Sequence, residues 1–325
     1  VTPAVTVVVP TKDRVEVFGQ TLRGVLGQRG VDLHVLVVDD GSSPADALAL
    51  QSIVDPRVEV LRNERSQGPS AARNRGMAAA TTRWVAFCDD DDVWAPDKLF
   101  SQLTALERSG ARWSCTASLT VSPTLAIVGH RVAPARSDVL ADLLAFNVVP
   151  GGGSSVVVDA DLLAEVEGFD ETMNRAEDWD LWIRLATRSP VAAVDRPLVG
   201  YRVWPGSESL DTDGMANGHA EVVRRYAHLA AEHGVALDEA AVLKYLAKQE
   251  LRAGRRAAAA RRFAAMPLRE AAGGWARAGL AMVAPDLVDR LGNARSARAV
   301  PAAWRAEAAP WLAALVAAPV TLDPA

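Results

Sequence analysis

Trp84-Val85-Ala86-Phe87-Cys88-Asp89-Asp90-Asp91-Asp92-Val93-Trp94-Ala95-Pro96-Asp97-Lys98-Leu99 decides how this chain is read. Its first five residues are apolar strand formers with neither Gly nor Pro among them, so they predict a buried strand. Pro96 suits the first turn of a helix, and Leu99, Leu103 and Leu106 continue one at helical spacing. Four carboxylates therefore fall where a buried strand hands over to a helix. Adjacent anions in such a place repel one another, and desolvation adds to the cost unless a cation offsets it. Hard divalent cations such as Mg²⁺ and Mn²⁺ take oxygen ligands, commonly one or two carboxylates plus substrate phosphates. Charge runs that are merely solvated seldom have apolar anchors on both sides. The stretch therefore predicts a metal–diphosphate site in preference to a solvated acidic loop.

Upstream, the same pattern repeats. Val5 to Val9 predicts a strand closed by Pro10, and the turn Thr11-Lys12-Asp13-Arg14 leads into a helix through Val17, Leu22, Val25 and Leu26. Leu33 to Val38 predicts a second strand, ending in Asp39-Asp40-Gly41-Ser42-Ser43-Pro44, where Ser43 caps a helix with Pro44 at its first position. Val58 to Leu61 predicts a third strand, and Gly68-Pro69 opens a further helix. Continuous apolar strands alternating with helices predict a parallel sheet covered on both faces. Ligands bind outside the carboxyl ends of such strands, where Thr11, the Asp39-Asp40 pair and the acidic cluster all fall. The first strand is not followed by G-x-G-x-x-G, and no G-x-x-x-x-G-K-[ST] phosphate loop occurs. Asp39-Asp40-Gly41 also lacks the D-x-D-G spacing of a phosphatase-like nucleophile.

The 325 residues suffice for one large domain or two modest ones, and half of them are hydrophobic. A net charge of −5 argues against a general nucleic-acid binder, which would show a basic face. Cys88 and Cys115 offer neither a disulfide framework nor metal spacing, which points to a reducing, cytoplasmic setting. The run from Val5 to Pro10 is short and has no basic flank, so it does not read as a signal peptide. The apolar run from Pro310 to Leu322 is broken by Pro319 and too short to span a bilayer. The expectation is a soluble protein, at most peripheral at the inner face of the membrane.

Further along, residues 112–122 predict a strand and 138–146 a helix. Gly151-Gly152-Gly153-Ser154 precedes the strand Val156-Val157-Val158, and consecutive glycines let backbone approach a ligand closely. Glu177-Asp178-Trp179-Asp180 opens a helix whose apolar positions include Leu181, Trp182 and Leu185. Carboxylates there also complement the helix dipole, the role expected of Asp180.

Six segments, taken in order and spacing, carry a resemblance. They are Val-Val-Val-Pro-Thr at 7–11, Val-Val-Asp-Asp-Gly-Ser-Ser at 37–43 and Gly-Pro-Ser-Ala-Ala-Arg-Asn-Arg-Gly at 68–76. Phe-Cys-Asp-Asp-Asp-Asp-Val-Trp at 87–94, Gly-Phe-Asp-Glu at 168–171 and Glu-Asp-Trp-Asp-Leu-Trp-Ile-Arg-Leu-Ala at 177–186 complete the set. Together they resemble the family 2 glycosyltransferases of the GT-A fold, over residues 5 to about 210. The resemblance implies an α/β fold: a Rossmann-like, mainly parallel sheet flanked by helices, with an α-helical C-terminal region. It implies a catalytic domain over 1–214, with a nucleotide-sugar half to about 110 and an acceptor half after it, then helices over 215–325.

The resemblance also implies roles. Pro10, Thr11 and Asp39 would hold the nucleotide base, with Asp13, Arg14 and Asp40 close by, and Arg73 would approach base or phosphate. Asp89-Asp90-Asp91 matches the D-x-D element, with Asp91 on the metal and Asp89 on ribose or metal. Asp178 matches the catalytic base, and the apolar wall of Trp179 and Trp182 would raise its pKa. Gly152, Gly153, Ser154, Glu177, Trp179, Arg202 and Trp204 would form the sugar or acceptor pocket. Glu167 stands where the family usually has the first of two glycines. In the last family-like segment, Tyr201-Arg202-Val203-Trp204-Pro205-Gly206-Ser207, Trp204 stands where many relatives carry His.

The activity implied is inverting, Mn²⁺- or Mg²⁺-dependent transfer from a nucleoside-diphosphate sugar, a UDP-sugar first, in glycan or natural-product biosynthesis. The acceptor hydroxyl would sit on a saccharide, a lipid-linked glycan, a small molecule or a peptide. A sugar-nucleotide nucleotidyltransferase would want a Gly-rich first turn, which 11–14 lacks. A non-catalytic sugar-nucleotide-binding or scaffold protein of the same fold would not need both Asp91 and Asp178. From about 215 the composition turns to Ala, Arg, Leu and Glu at helical spacing, with a helix over Arg255 to Met266 ended by Pro267. These helices are expected to pack on the catalytic domain or on a homodimer mate, in preference to forming an acceptor-binding module. Arg252, Arg255, Arg256, Arg261 and Arg262 read as a solvated face, with an anionic membrane or an acidic acceptor as the alternative.

Overall fold

Val5, Val7, Val8 and Val9 are all fully buried, so successive side chains on both faces of the first strand meet protein. That is the burial a strand in the middle of a helix-covered sheet requires. The computed structural model describes residues 2, 4–204, 207, 210–266, 278–282 and 296–317. Its nucleotide-side half follows the expected alternation: β1 (Ala4–Thr11), α1 (Val15–Leu26), β2 (Asp32–Asp39), α2 (Pro44–Gln51), β3 (Val58–Arg62), α3 (Pro69–Ala79) and β4 (Trp84–Phe87). Ser43 caps α2 by accepting the Asp46 N–H at 3.3 Å, with Pro44 in the first turn. These four strands are mutually parallel in the order β3-β2-β1-β4.

Beyond β4 the sheet is mixed. The chain continues through β5 (Val93–Trp94), α4 (Lys98–Ser109), β6 (Trp113–Val121), β7 (Ile127–Arg131), α5 (Leu140–Ala145), β8 (Val156–Asp159), α6 (Ala160–Glu165), α7 (Glu177–Ala186) and β9 (Val191–Arg202). The full order is β3-β2-β1-β4-β8-β6-β9-β5, with β7 on β6. β8 runs antiparallel to both β4 and β6, β5 antiparallel to β9, and β6 parallel to β9. Val93 and Trp94, left without an element by the sequence pattern, pair with Gly200 and Val199. That pairing delays the helix, so α4 starts at Lys98 with Asp97 as its N-cap, and Pro96 lies just before it.

α8 (Thr212–Glu232), α9 (Glu239–Arg252), α10 (Arg256–Ala264) and a helix over Ala302–Ala317 follow. They are not an appendage. Val222 of α8 belongs to the same buried cluster as Trp179, Trp182 and Leu185 of α7, where Trp113 and Trp182 stack with ring centroids 6.2 Å apart. Trp311, Leu312 and Leu315 pack on Val93, Leu119 and Leu198 of the sheet. The expected boundary at 214/215 falls inside α8. Of the five arginines read as a solvated face, Arg255 pairs with Asp213 and Glu250, and Arg262 with Glu250. Among the described residues no helix is long and apolar enough to cross a membrane. Pro205, Gly206, Pro267 and the part of the apolar run past 317 lie outside the described residues.

Candidate active site

The carboxyl ends of β1, β2 and β4 form one wall. Asp40 N–H donates to Thr11 O at 2.9 Å, tying the first two strand ends together. The Asp40 carboxylate accepts from Asn63 Nδ2 (2.7 Å), Ser66 Oγ (2.7 Å), Gln67 N and Gly68 N (2.9 Å each). Those hydrogen bonds hold its pKa below the usual carboxylate value against the opposing effect of burial. Asp40 thus fastens the loop that leads into α3. Asp39 lies deeper, accepting from Ser42 N at 2.9 Å and pairing with Arg62. Asp13, with φ of 54°, accepts from Ser43 N at 2.7 Å and fixes the turn after β1 against the turn after β2.

The acidic cluster is pinned by cations and backbone. Arg14 donates to Asp90 Oδ1 at 3.1 Å and approaches Asp91 Oδ2 at 3.7 Å, its guanidinium 5.7 Å from the Trp204 ring centre. Trp204 Nε1–H donates to Asp91 Oδ2 at 2.8 Å. Asp89 N–H donates to Ser154 Oγ at 2.9 Å, and its Oδ1 accepts from Arg73 at 2.8 Å. Asp92 Oδ1 takes the Arg202 N–H at 2.8 Å, while Asp92 Oδ2 is buried and the Ser154 hydroxyl opposes the rise of its pKa. The Arg202 side chain reaches Gln20 Oε1 at 2.8 Å. Burial pushes Asp90 up to about 7, with Asp91 adding to the rise and Arg14 opposing it. Burial also raises Asp91, and raises Asp92 well above its ordinary value with help from Asp91 and Asp89.

Among the described residues no three His, Cys, Asp or Glu side chains converge as a cage. Asp89 and Asp91 do face one cavity of about 400 Å³, also lined by Arg14 and Arg73. Burial leaves Asp91 raised even with Trp204 and Arg14 beside it, so the site favours further positive charge. Two carboxylates on a space wide enough for phosphates suit a hard cation that draws its other ligands from diphosphate and water. The donor set fits. Trp204 cannot itself be a ligand, since an indole N–H donates but cannot ligate.

Asp178 stands on the far side of the same cavity, in the first turn of α7. The residue before this helix begins, Ala176, has φ of 60°, a backbone strain of the kind that collects at functional sites. Burial pushes Asp178 up to about 6, the Glu177 charge adds to it, and the Trp179 N–H (2.7 Å) and Arg73 oppose it. Arg73 also donates to Glu177 Oε1 at 3.0 Å, so one guanidinium joins the start of α7 to Asp89. Between the two carboxylates lies Gly152, at φ of 53°. A Cβ there would sit 3.8 Å from Asp178 Oδ2 and 3.8 Å from Asp89 Oδ2. A Cβ on Gly153 would lie 3.8 Å from Asp89 Oδ1. A second cavity, of about 820 Å³, opens beyond and shares Gly152, Asp178, Tyr201 and Tyr245 with the first.

Asp180 differs from its expected role. It is fully buried, accepting from Arg184 at 2.8 Å, Arg225 at 2.9 Å and the Tyr226 hydroxyl at 2.8 Å. It clamps α8 to α7 in addition to complementing a dipole. Glu167 takes φ of 61°, a left-handed conformation that glycine adopts without strain.

Residues 6–130 match the family model described as glycosyl transferase family 2. Over those residues the chain is similar to that family. The succinoglycan biosynthesis protein ExoO of Rhizobium meliloti is 37% identical over 110 residues, 34% of this chain and 32% of ExoO. The Escherichia coli protein WfgD, named UDP-Glc:alpha-D-GlcNAc-diphosphoundecaprenol beta-1,3-glucosyltransferase, is 26% identical over 191 residues, 59% of this chain and 73% of WfgD. The chain spans about a third of the length of ExoO and of the uncharacterized Rickettsia glycosyltransferases it also matches. The structure of S. aureus TarS 1-349 in complex with UDP-GlcNAc superposes with a TM-score of 0.54 at 16% identity, over 96% of this chain and 92% of that one. TarS 1-349 with UDP gives a TM-score of 0.52 over 88% and 90%. At that identity the likeness speaks for the fold, and it supports the GT-A architecture of the family 2 domain.

Motif reading missed the residues that complete the second cavity, among them Tyr201 and Tyr245. Tyr245 stacks on His219 at 5.6 Å, and His219 meets Trp179 edge-on at 5.2 Å, so an aromatic row joins α9 to α7 through α8.

Proposed function

We propose that the chain transfers a sugar from a nucleoside-diphosphate sugar to an acceptor hydroxyl with inversion at the anomeric carbon, in glycan biosynthesis. The observation that carries this reading is the Gly152 seam, where Asp178 and the diphosphate-side carboxylate Asp89 flank one side-chain-free residue. In this reading the donor lies along the first cavity, its nucleotide against Pro10, Lys12 and the loop fastened by Asp40. Thr11, Asp13 and Asp39 shape that wall from behind. Arg14 and Arg73 stand where they can offset diphosphate charge. A divalent cation, Mn²⁺ or Mg²⁺, held by Asp91 and Asp89 with the diphosphate, supplies further positive charge when bound.

The acceptor hydroxyl approaches the anomeric carbon from the face opposite the diphosphate, on the Asp178 side. The new C–O bond forms as the bond to the diphosphate oxygen breaks, and that oxygen keeps the electron pair. Asp178 takes the hydroxyl proton. A carboxyl with a pKa of about 6 is a stronger base than an ordinary aspartate yet is mostly ionised at neutral pH. The likeness to the family, ExoO and WfgD support the glycan setting, and the TarS complexes support UDP as the first base to test.

The experiment is a thermal-shift panel of UDP-, GDP- and dTDP-sugars with and without Mn²⁺. The correct donor at about a hundred times its Kd adds about 2.7 kcal/mol of stability. Stabilisation by none of them would remove the donor assignment.

A further inference from the structure

The second cavity has an electrostatic character opposite to that of the chain. The protein carries a net charge of −5, yet the cavity wall holds Lys244, Lys248, Arg252 and Arg131 against one carboxylate, Asp178. Three of these cations lie four residues apart on α9, so they form a single stripe, about 12 Å from first to last at 1.5 Å rise per residue. Arg131 comes from β7, where it donates to Asn147 O at 2.6 Å. Phe146, Trp179 and Tyr245 add flat apolar faces to the same space. A cavity with aromatic walls and converging charged groups is built to orient a ligand of matching charge.

We propose that this cavity is the acceptor site and that it selects a saccharide carrying an anionic group, a phosphate ester or a carboxylate. The inference rests on the transferase reading, because Asp178 joins the two cavities. An acceptor hydroxyl at Asp178 leaves the remainder of the molecule lying towards α9, where the cationic stripe meets its charge. α9 lies outside the 6–130 segment matched by the family model. The cavity is about twice the volume of the donor cavity, at about 820 against 400 Å³. It therefore has room for more than one sugar ring together with the anion.

The test is calorimetry on the full chain with saturating UDP and Mn²⁺, which keeps anionic probes out of the donor cavity. Glucose 6-phosphate, glucuronate and glucose are titrated in turn. At least one anionic sugar should bind about tenfold or more tightly than glucose, and comparison of the two identifies phosphate or carboxylate as the group read. In the Lys244→Glu, Lys248→Glu double variant that preference should vanish while UDP affinity holds. Both lysines are exposed on the helix surface, and the Lys244→Gln, Lys248→Gln pair gives a neutral version of the same test. Equal binding of all three sugars, or a preference that survives both double variants, would overturn the proposal. Failure of UDP itself to bind would count against the transferase reading instead, and the sugar titrations would still report on the cavity.

Discussion

The two halves of this site are built in opposite ways. On the donor side, Asp39-Asp40 and the acidic run lie at the ends of β2 and β4, Arg73 lies in the helix that follows β3, and the parallel order β3-β2-β1-β4 brings them to one edge. Their side chains are engaged with one another, Arg14 with Asp90 and Arg73 with Asp89. On the acceptor side, the cavity wall comes from β7, the loop before β8, the start of α7, and α9. A donor site that must hold a charged diphosphate gains from rigid, pre-paired polar groups. A wall assembled from distant elements can change partners without disturbing that machinery, as loops on a rigid scaffold do. Under the proposed function, the difference teaches that donor chemistry and acceptor choice are separable in this fold, and Gly152 is where they would meet.

The sharpest break between the halves is expected at Asp178. Asp178→Asn keeps the shape but cannot accept a proton, so turnover should fall by about two to four orders of magnitude while UDP-sugar affinity survives. With the wild-type residue, kcat/KM should fall about tenfold per pH unit below about 6, since the base must be ionised, and level off above it. A flat profile through that range would place the base elsewhere. Asp180→Asn, two residues on, should act on the fold instead. It removes the buried charge that holds Arg184 and Arg225, and because both arginines are partly exposed the loss is discounted to about 2 kcal/mol. Denaturant titration measures that loss, and turnover per folded molecule should stay near the parent's.

On the donor side, Asp91→Asn should weaken Mn²⁺-dependent UDP binding by about tenfold or more, about 1.4 kcal/mol, with little change in stability. Calorimetry with and without EDTA checks it, and equal affinity in variant and parent would count against a metal at Asp91. The smallest effect is expected at the seam. Gly152→Ala forces a side chain into a left-handed conformation at a cost of about 1 kcal/mol and places a methyl against both carboxylates. It should lower turnover and donor affinity together, whereas loss of one alone would show that the cavities are less closely joined.

Much of the donor side was legible because its signals are local. A run such as Trp84 to Cys88 reads as a strand from its own composition, and the acids that follow must then lie at its carboxyl end. Ser43-Pro44 announced its helix in the same way. Val93-Trp94 did not, because whether two apolar residues pair as a strand depends on β9, a hundred residues away. Asp180 was legible as a first-turn carboxylate, but its buried clamp depends on Arg225 and Tyr226 of another helix. The lysine stripe of α9 went unread, because helical spacing alone cannot tell a solvated face from a cavity wall.

The sequence by itself therefore determined the alternation of strands and helices, the position of the acidic run at a strand end and the resemblance carried by six ordered motifs. These follow from side-chain pattern over a few residues, which the chain carries wherever it folds. Only the tertiary structure decided that the sheet turns mixed after β4, that Trp204 donates to Asp91 and that Gly152 separates Asp89 from Asp178. It alone placed α9 across the second cavity. Such facts are contacts between residues far apart in the chain, set by how whole elements pack, and no local pattern encodes them.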